Sequence, residues 1–220
     1  IEPFGKFEEL NIEREVVGLF ISGHPLDDYK FEIDSFCNIE LSQLNELEPL
    51  EGKDLRMAGI VSGFAHRTTK GGKPFGTLTI EDYNNNFTFF LFGDDYVKFK
   101  EYMMQGWFLF LQGRVVRQKW GDQRLEMKLH SIELLSELRD KKTKGIIVTM
   151  NADEVNSQVI EQIEKVCSQF KGDLSLRMNI LDRENNIASE LLSRKYTINP
   201  SNEMIEEMKK IPEVECKVLV

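Results

Sequence analysis

Between residues 53 and 136, apolar positions mostly alternate with polar ones, which is the pattern of half-buried β-strands. The alternation forms five runs: Lys53–His66, the stretch around Leu78 and Ile80, Phe87–Phe92, Trp107 to about Lys119, and the stretch around Leu125, Met127 and Leu129. Between the third and fourth runs, Tyr96, Phe99 and Met103 recur at helical spacing, which predicts a short helix over Asp94–Met104. The predicted order is three strands, one helix and two strands.

This order of elements is typical of the OB-fold, a small five-stranded Greek-key β-barrel. Gly59 and Gly63 interrupt the long first run, which suits the bent first strand that a small barrel needs. Because such barrels bind single-stranded nucleic acid on their face and rim loops, the pattern predicts a nucleic-acid-binding domain.

A second periodic series fills residues 145–220. It predicts, in order, strand Gly145–Met150, helix Asp153–Phe170, a strand around Leu174–Ile180, strand Ile187–Ile198, a helix after Ser201 and a strand from Val214. The order β-α-β-β-α-β predicts a ferredoxin-like, split βαβ domain. The first 52 residues predict two short helices, Phe7–Ser22 and Leu26–Phe36, separated by Gly23 and Pro25.

We therefore predict a multi-domain α+β protein with four segments. They are a helical lead-in (1–52), an OB-fold domain that binds single-stranded nucleic acid (53–136), a charged linker (137–144) and a second domain (145–220). The chain begins at Ile1, and we expect it to be a piece of a longer protein.

The formal net charge of −9 conceals a basic barrel. Residues 1–52 carry three Lys/Arg and 13 Asp/Glu, whereas residues 53–136 carry 12 and nine. Since phosphate binding depends on cations that lie close to the phosphate, the acidic total does not argue against nucleic-acid binding.

Cationic and aromatic residues concentrate in two predicted rim regions. The loop between the first two strands carries Arg67, Lys70 and Lys73, and Phe75 follows it. The fourth strand and the loop after it carry Arg114, Arg117, Lys119, Trp120 and Arg124. Two cationic rims with aromatic rings for base stacking match the physics of single-strand binding. The alternative is that these are ordinary solvated hairpin tips.

The phenylalanines of the third strand have two possible roles. Phe87 and Phe89 are interpreted as core residues, whereas Phe90 and Phe92 are compatible either with packing or with a stacking surface. The sequence pattern leaves that choice open.

The sequence offers no pattern typical of a catalytic, metal or cofactor site. Cys37, Cys167 and Cys216 are scattered, so we expect neither a metal clip nor a disulfide framework, and the cysteine usage favours a reducing compartment. No apolar run is long enough for a membrane helix. We therefore expect a binding protein without a catalytic activity of its own.

A segment near the start of the chain resembles a known family. Glu13-Arg-Glu-Val-Val-Gly-Leu-Phe-Ile-Ser-Gly-His-Pro-Leu-Asp-Asp-Tyr29 is similar to the segment that follows the polymerase core of the bacterial replicative DNA polymerase III alpha subunit. The barrel continues the resemblance at Met57-Ala-Gly-Ile-Val61, Leu78-Thr-Ile-Glu-Asp82, Phe90-Leu-Phe92 and Leu111-Gln-Gly-Arg-Val115.

The resemblance implies the C-terminal region of that polypeptide. In the family, the OB domain binds the single-stranded template, and the loop corresponding to His66–Lys73 is implicated. The last domain, here Gly145–Val220, docks the clamp-loader tau subunit and so connects the polymerase to other replisome subunits. The family's polymerase carboxylates and their Mg²⁺ lie upstream, so the fragment is expected to lack nucleotidyltransferase activity and a cofactor. The implied location is the cytoplasmic, nucleoid-associated replisome.

A second function remains compatible with the sequence. The chain could be a protein-interaction scaffold of the replisome without DNA affinity of its own, and the acidic lead-in favours this alternative. For the docking face of the last domain, we expect the exposed side of the helix Ser201–Ile211 and the strand from Val214 to contribute.

Overall fold

The computed structural model describes residues 22–118 and 123–219. The chain divides into two compact units, residues 1–138 and 139–220. Most of the predicted helix Phe7–Ser22 lies outside the described residues, as do Lys119, Trp120 and Val220.

Part of the lead-in packs into the core of the first unit. A 3-10 helix, Pro25–Tyr29, runs into helix α1, Lys30–Phe36, and two 3-10 turns follow at Leu41–Asn45 and Glu48–Leu50. Leu41, Leu44 and Leu50 belong to the same buried cluster as the apolar residues of the strands. His24 caps the first 3-10 helix, since its Nδ1 accepts a hydrogen bond from the Leu26 amide at 3.1 Å.

The first unit contains one five-stranded antiparallel sheet and the predicted helix. The strands are β1 (Asp54–Thr68), β2 (Pro74–Glu81), β3 (Asn86–Phe92), β4 (Phe108–Arg117) and β5 (Leu125–Leu134), and helix α2 (Gly93–Phe99) lies between β3 and β4. Their order in the sheet is β3-β2-β1-β4-β5. Buried Phe99 and Met103 place the α2 region against the strand core, as its apolar spacing predicted.

β1 changes its pairing partner along its length and passes close to the backbone of β2 at Gly59. The pairing of β1 with β2 shifts register between Val61 and Gly63. At Gly59, a Cβ atom would lie 2.5 Å from the carbonyl oxygen of Glu81, so only glycine fits there without displacing the backbone. β1 can therefore pair with β4 along its first half and with β2 along its second half.

The second unit contains a four-stranded mixed sheet and two helices that cover one of its faces. Its elements are β6 (Gly145–Asn151), α4 (Ser157–Gln169), β7 (Lys171–Asp182), β8 (Ile187–Ile198), α5 (Asn202–Lys209) and β9 (Glu215–Leu219). This is the predicted β-α-β-β-α-β order along the chain. The core consists of one face of β6 and β7 packed against apolar residues of α4 and α5.

The predicted split βαβ arrangement is wrong. In a split unit another strand lies between the two parallel strands, but here β6 and β7 pair directly in parallel, and the sheet order is β8-β7-β6-β9. Most residues of β8 are exposed, whereas Ile146, Val148 and Met150 of β6 are buried. A largely solvent-exposed strand belongs at the edge of a sheet, whereas the central position in a split unit would bury β8.

The segment expected to be a charged linker is mostly helical. Helix α3, Leu135–Lys142, connects β5 to the second unit, and the division between the units falls within it. Leu135 and Leu138, three residues apart on one helical face, are both buried. Because most of residues 137–144 are charged, the sequence pattern did not indicate this short apolar helical face.

Candidate nucleic-acid interface

The loop between β1 and β2 presents three exposed cations on a closed turn. The Thr69 amide donates to the Lys73 carbonyl oxygen at 2.9 Å, and the Lys73 amide donates to Thr69 Oγ1 at 3.1 Å. Arg67, Lys70 and Lys73 are exposed, and among the described residues no carboxylate forms an ion pair with them. The hydrogen bonds hold the loop closed while the three cationic groups face solvent.

Three phenylalanine rings form a surface beside this loop, which we call the aromatic platform: Phe75, Phe90 and Phe92. The ring centroids of Phe75 and Phe92 are 5.0 Å apart with an interplanar angle of 18°, and those of Phe90 and Phe92 are 6.4 Å apart at 9°. Phe90 and Phe92 are 63% and 53% exposed. These nearly parallel, solvent-exposed rings offer faces on which planar bases can stack.

Strand register connects the aromatic platform to the cationic loop. Arg67 pairs with Phe75 across β1 and β2, and Phe75 pairs with Phe92 across β2 and β3. Because residues directly opposite one another share a sheet face, these three side chains form one row. The structure thus brings together Arg67 and Phe75, which the sequence predicted, and Phe92, whose role the sequence left open.

A groove of about 320 Å³ runs beside the aromatic platform, between the two outer strands of the sheet. Its lining comes from β3, β5 and α2: Phe89, Phe90, Leu91, Phe92, Asp95, Glu126, Met127, Lys128 and Leu129. Lys128 adds an exposed cation, and Glu126 accepts a hydrogen bond from Gln118 at 2.9 Å. A DNA strand in this groove would meet the exposed rings of β3 and the Lys128 cation of β5, together with the carboxylates of Asp95 and Glu126.

Sequence reasoning left the role of Phe90 and Phe92 in β3 open, although the alternation of buried and exposed residues was a signal for it. Phe89 and Leu91 are buried, so Phe90 and Phe92 lie on the opposite face of the strand. Core packing would bury both rings. Two large aromatic side chains exposed on the solvent face of an edge strand instead indicate a binding surface.

The arginines of the second predicted rim are already engaged by carboxylates. Arg114 Nε and Nη2 donate to the Asp54 carboxylate at 2.8 and 2.6 Å, and Arg117 Nε and Nη2 donate to that of Glu51, both at 2.6 Å. The hydrogen bond from Arg114 lowers the pKa of Asp54. Arg114 therefore links β4 to the start of β1, and Arg117 links β4 to Glu51 at the end of the lead-in. DNA contact by these two arginines stays a prediction.

The remaining residues of that rim are described only in part. Arg124 is exposed just before β5, and its carbonyl oxygen accepts the Gln118 amide at 3.0 Å. Lys119 and Trp120 lie outside the described residues. In register, Arg114 pairs with Asp54 at the start of β1, whereas Arg67 lies near its end. The two predicted rims thus lie at opposite ends of β1.

We expect Glu51→Gln with Asp54→Asn to strengthen binding of single-stranded DNA. Both ion pairs are solvent-exposed, and a guanidinium binds phosphate in the same bidentate geometry as carboxylate, so the two freed arginines can bind phosphates. The salt dependence of log K should steepen by up to about 1.4, or roughly 0.7 for each added phosphate contact. Fluorescence anisotropy with labelled DNA measures both quantities.

The control for this prediction is Glu46→Gln with Glu101→Gln, which changes net charge equally at exposed positions of the same unit. An equal gain of DNA affinity in the control would show that the change in net charge causes the effect. An unchanged salt slope in the test variant would contradict phosphate binding by the freed arginines.

Within residues 22–118 and 123–219, no group of three or more His, Cys, Asp or Glu residues is placed to hold a metal ion. None of the helices among those residues is long and apolar enough to cross a membrane.

Two family models match the chain, one in each unit. Residues 56–135 match an OB-fold nucleic acid binding domain, and residues 146–219 match the DNA polymerase III alpha subunit, C-terminal domain. These matches confirm the resemblance predicted from the sequence.

Curated relatives support the same resemblance. The chain is 23% identical over 90% of its length to the DNA polymerase III subunit alpha of Vibrio cholerae, and 25% identical over 74% of its length to that of Escherichia coli K12. It spans only 17% and 14% of these relatives' lengths.

Among solved structures, a mitochondrial single-stranded DNA binding protein of S. cerevisiae, Rim1, is similar at a TM-score of 0.29 and 16% identity. This likeness covers 38% of the chain and 95% of Rim1.

Proposed function

This chain has the two domain types of the C-terminal region of the DNA polymerase III alpha subunit, and we propose that its first unit binds single-stranded template DNA. The observation that carries the proposal is the row of Arg67, Phe75 and Phe92, which places a cation beside stacked, exposed rings. Cations bind the phosphates of a DNA strand, and ring faces stack on its bases. The arrangement therefore offers both kinds of contact that single-strand binding uses.

Binding at this site is expected to tolerate any base sequence. Phosphates are common to all nucleotides, every base has a π-face, and the aromatic platform consists of phenylalanine, which has no hydrogen-bonding group with which to read a base edge. Such tolerance suits a template-binding element, because a replicative polymerase must pass over every sequence.

The same geometry predicts discrimination against duplex DNA. In a duplex the base faces are already stacked on one another, so the aromatic platform has nothing to contact unless base pairs open. Only the electrostatic attraction between the loop cations and phosphates then remains.

The test is a fluorescence-anisotropy titration of the 220-residue chain against labelled single-stranded and duplex DNA at several salt concentrations. We expect a preference for the single strand and a linear fall of log K with log salt, of about 0.7 for each contacted phosphate. Absence of single-strand binding at the lowest salt would overturn the proposal and favour the alternative, a protein-interaction scaffold without DNA affinity.

We also propose that the second unit docks the clamp-loader tau subunit. The match of residues 146–219 to the C-terminal domain of the polymerase III alpha subunit supports this role, as does the exposure of several large apolar side chains on β8. Polymerase activity in the family depends on carboxylates upstream of this region, so the proposed role of the chain in replication is to bind template and partner.

A further inference from the structure

The outer strand of the second sheet exposes a concentration of large apolar side chains. We call residues Ile187–Leu192 the β8 edge; Ile187, Leu191 and Leu192 are 56%, 55% and 62% exposed. Among the described strands, β8 pairs only with β7, so its other side is open. Exposed apolar residues on an open strand edge favour association with another chain, and native proteins generally protect such edges.

The apolar residues of the β8 edge lie on both faces of the sheet. Leu191 pairs with Met178, whose side chain packs toward the helix-covered core, whereas Leu192 pairs with Arg177 on the opposite face. A helix laid on the sheet could cover only one of these two leucines. A strand added at the edge contacts both, because its own side chains alternate between the two faces.

The charges around the β8 edge indicate the chemistry of the added strand. Glu190 is paired with Arg177 at 2.6 Å, and Lys195 is paired with Glu164 at 3.0 Å. Arg194 is exposed, and no carboxylate in residues 22–118 or 123–219 forms an ion pair with it. An acidic side chain within reach of Arg194 would complement this cation.

We propose that the β8 edge receives an extended segment of the clamp-loader tau subunit as an additional strand. The segment carries two adjacent apolar residues opposite Leu191 and Leu192. It also carries an acidic residue within reach of Arg194, which lies in the irregular stretch of β8 between Leu192 and Thr197. This assignment rests on the proposed docking function, and it places the docking surface at one edge of the sheet.

The assignment differs from the face expected from the sequence. Met204, Met208 and Ile211 of the α5 region are buried, and the exposed residues of that helix are charged: Glu203, Glu206 and Lys209. β9 forms the opposite edge of the sheet, and among its large apolar residues Val218 and Leu219 are half-buried. The β8 edge offers more apolar area to a partner than either element.

The proposal is tested with Leu191→Asp and Leu192→Asp in the 220-residue chain, titrated with purified tau subunit from the same organism by calorimetry. Each variant should weaken binding by roughly tenfold or more, since a carboxylate would replace an apolar contact at the interface. Val155→Asp, at another exposed apolar position of the second unit, should bind within about twofold of the unaltered chain. Circular dichroism and melting temperature establish that each variant is folded.

Hydrogen exchange distinguishes strand addition from side-chain contact alone. We expect backbone amides within residues 187–192 to become protected when tau binds, because an added strand forms hydrogen bonds with the open edge. Unchanged exchange in this range would overturn the added-strand geometry.

The outcomes separate this assignment from the docking function. If both leucine variants bind tau as tightly as the unaltered chain, the β8 edge is not the docking surface. The proposed docking function of the second unit would then still stand. A loss confined to Glu203→Lys or Lys209→Glu would assign docking to α5 instead. No binding of tau by the unaltered chain would overturn the docking function and this assignment with it.

Discussion

Replacing Phe90 and Phe92 together by alanine will weaken single-stranded DNA binding by roughly thirtyfold or more. Stacking of a base on an aromatic side chain contributes about 1–3 kcal/mol by alanine substitution, so two rings contribute about 2 kcal/mol at least. Both side chains are more than half exposed, and their loss leaves no cavity in the core formed by Phe89 and Leu91. Anisotropy titrations at one fixed salt concentration measure the change.

Two comparisons show whether stacking is the cause. Phe90→Leu with Phe92→Leu keeps apolar surface but removes the ring faces, so it should lose most of the same affinity. Phe64→Ala removes an exposed ring that lies off the platform, since Phe64 pairs with Leu78 on the other face of the sheet, and it should bind normally. A loss of affinity in Phe64→Ala as large as that in the double variant would contradict the assignment of the platform.

Replacing Arg67, Lys70 and Lys73 together by alanine will weaken binding and flatten its salt dependence. Each phosphate contact with single-stranded DNA contributes about 0.7 to the slope of log K against log salt, so loss of three contacts lowers the slope by roughly two. The difference in affinity between the variant and the unaltered chain should therefore shrink as salt rises. Titrations at four or more salt concentrations give the slope directly.

The matched control removes the same number of charges from the same unit. Lys53→Ala, Arg56→Ala and Lys100→Ala lie outside the β1–β2 loop and should leave the slope nearly unchanged. An unchanged slope in the loop variant, or an equal flattening of the slope in the control, would contradict phosphate binding by the loop.

The two largest predictions also separate two contributions to binding. Loss of ring faces should lower affinity by a similar factor at every salt concentration, because stacking releases no counterions. Loss of the loop cations should act mainly at low salt. If both variants showed the same salt profile, the aromatic platform and the loop would not be acting in the physical roles assigned to them.

Much of the first unit could be predicted from the sequence because its signals are local. Leu78 and Ile80 alternate with polar residues and are buried, and Phe99 and Met103 follow helical spacing and plug the core. His24 caps the first 3-10 helix by accepting a hydrogen bond from the Leu26 amide, two residues along the chain. In each case the residues that decide the structure lie within a few positions of one another.

The candidate site was only partly predictable because its members are distant in sequence. The partner of Arg114 is 60 residues away and that of Arg117 is 66 residues away, so two cations that seemed available for DNA are engaged by carboxylates. Phe90 and Phe92 became candidates for base stacking only when the register placed Phe92 in one row with Phe75 and Arg67.

The sequence by itself determined which segments form strands and helices and which faces of them are apolar, since these properties depend on the spacing of neighbouring residues. Only the tertiary structure decided which strands pair. It set β6 beside β7, left β8 open at an edge, and matched Arg114 to Asp54. Strand pairing depends on the free energy of the whole sheet, in which burial, charge and edge exposure are balanced across distant residues.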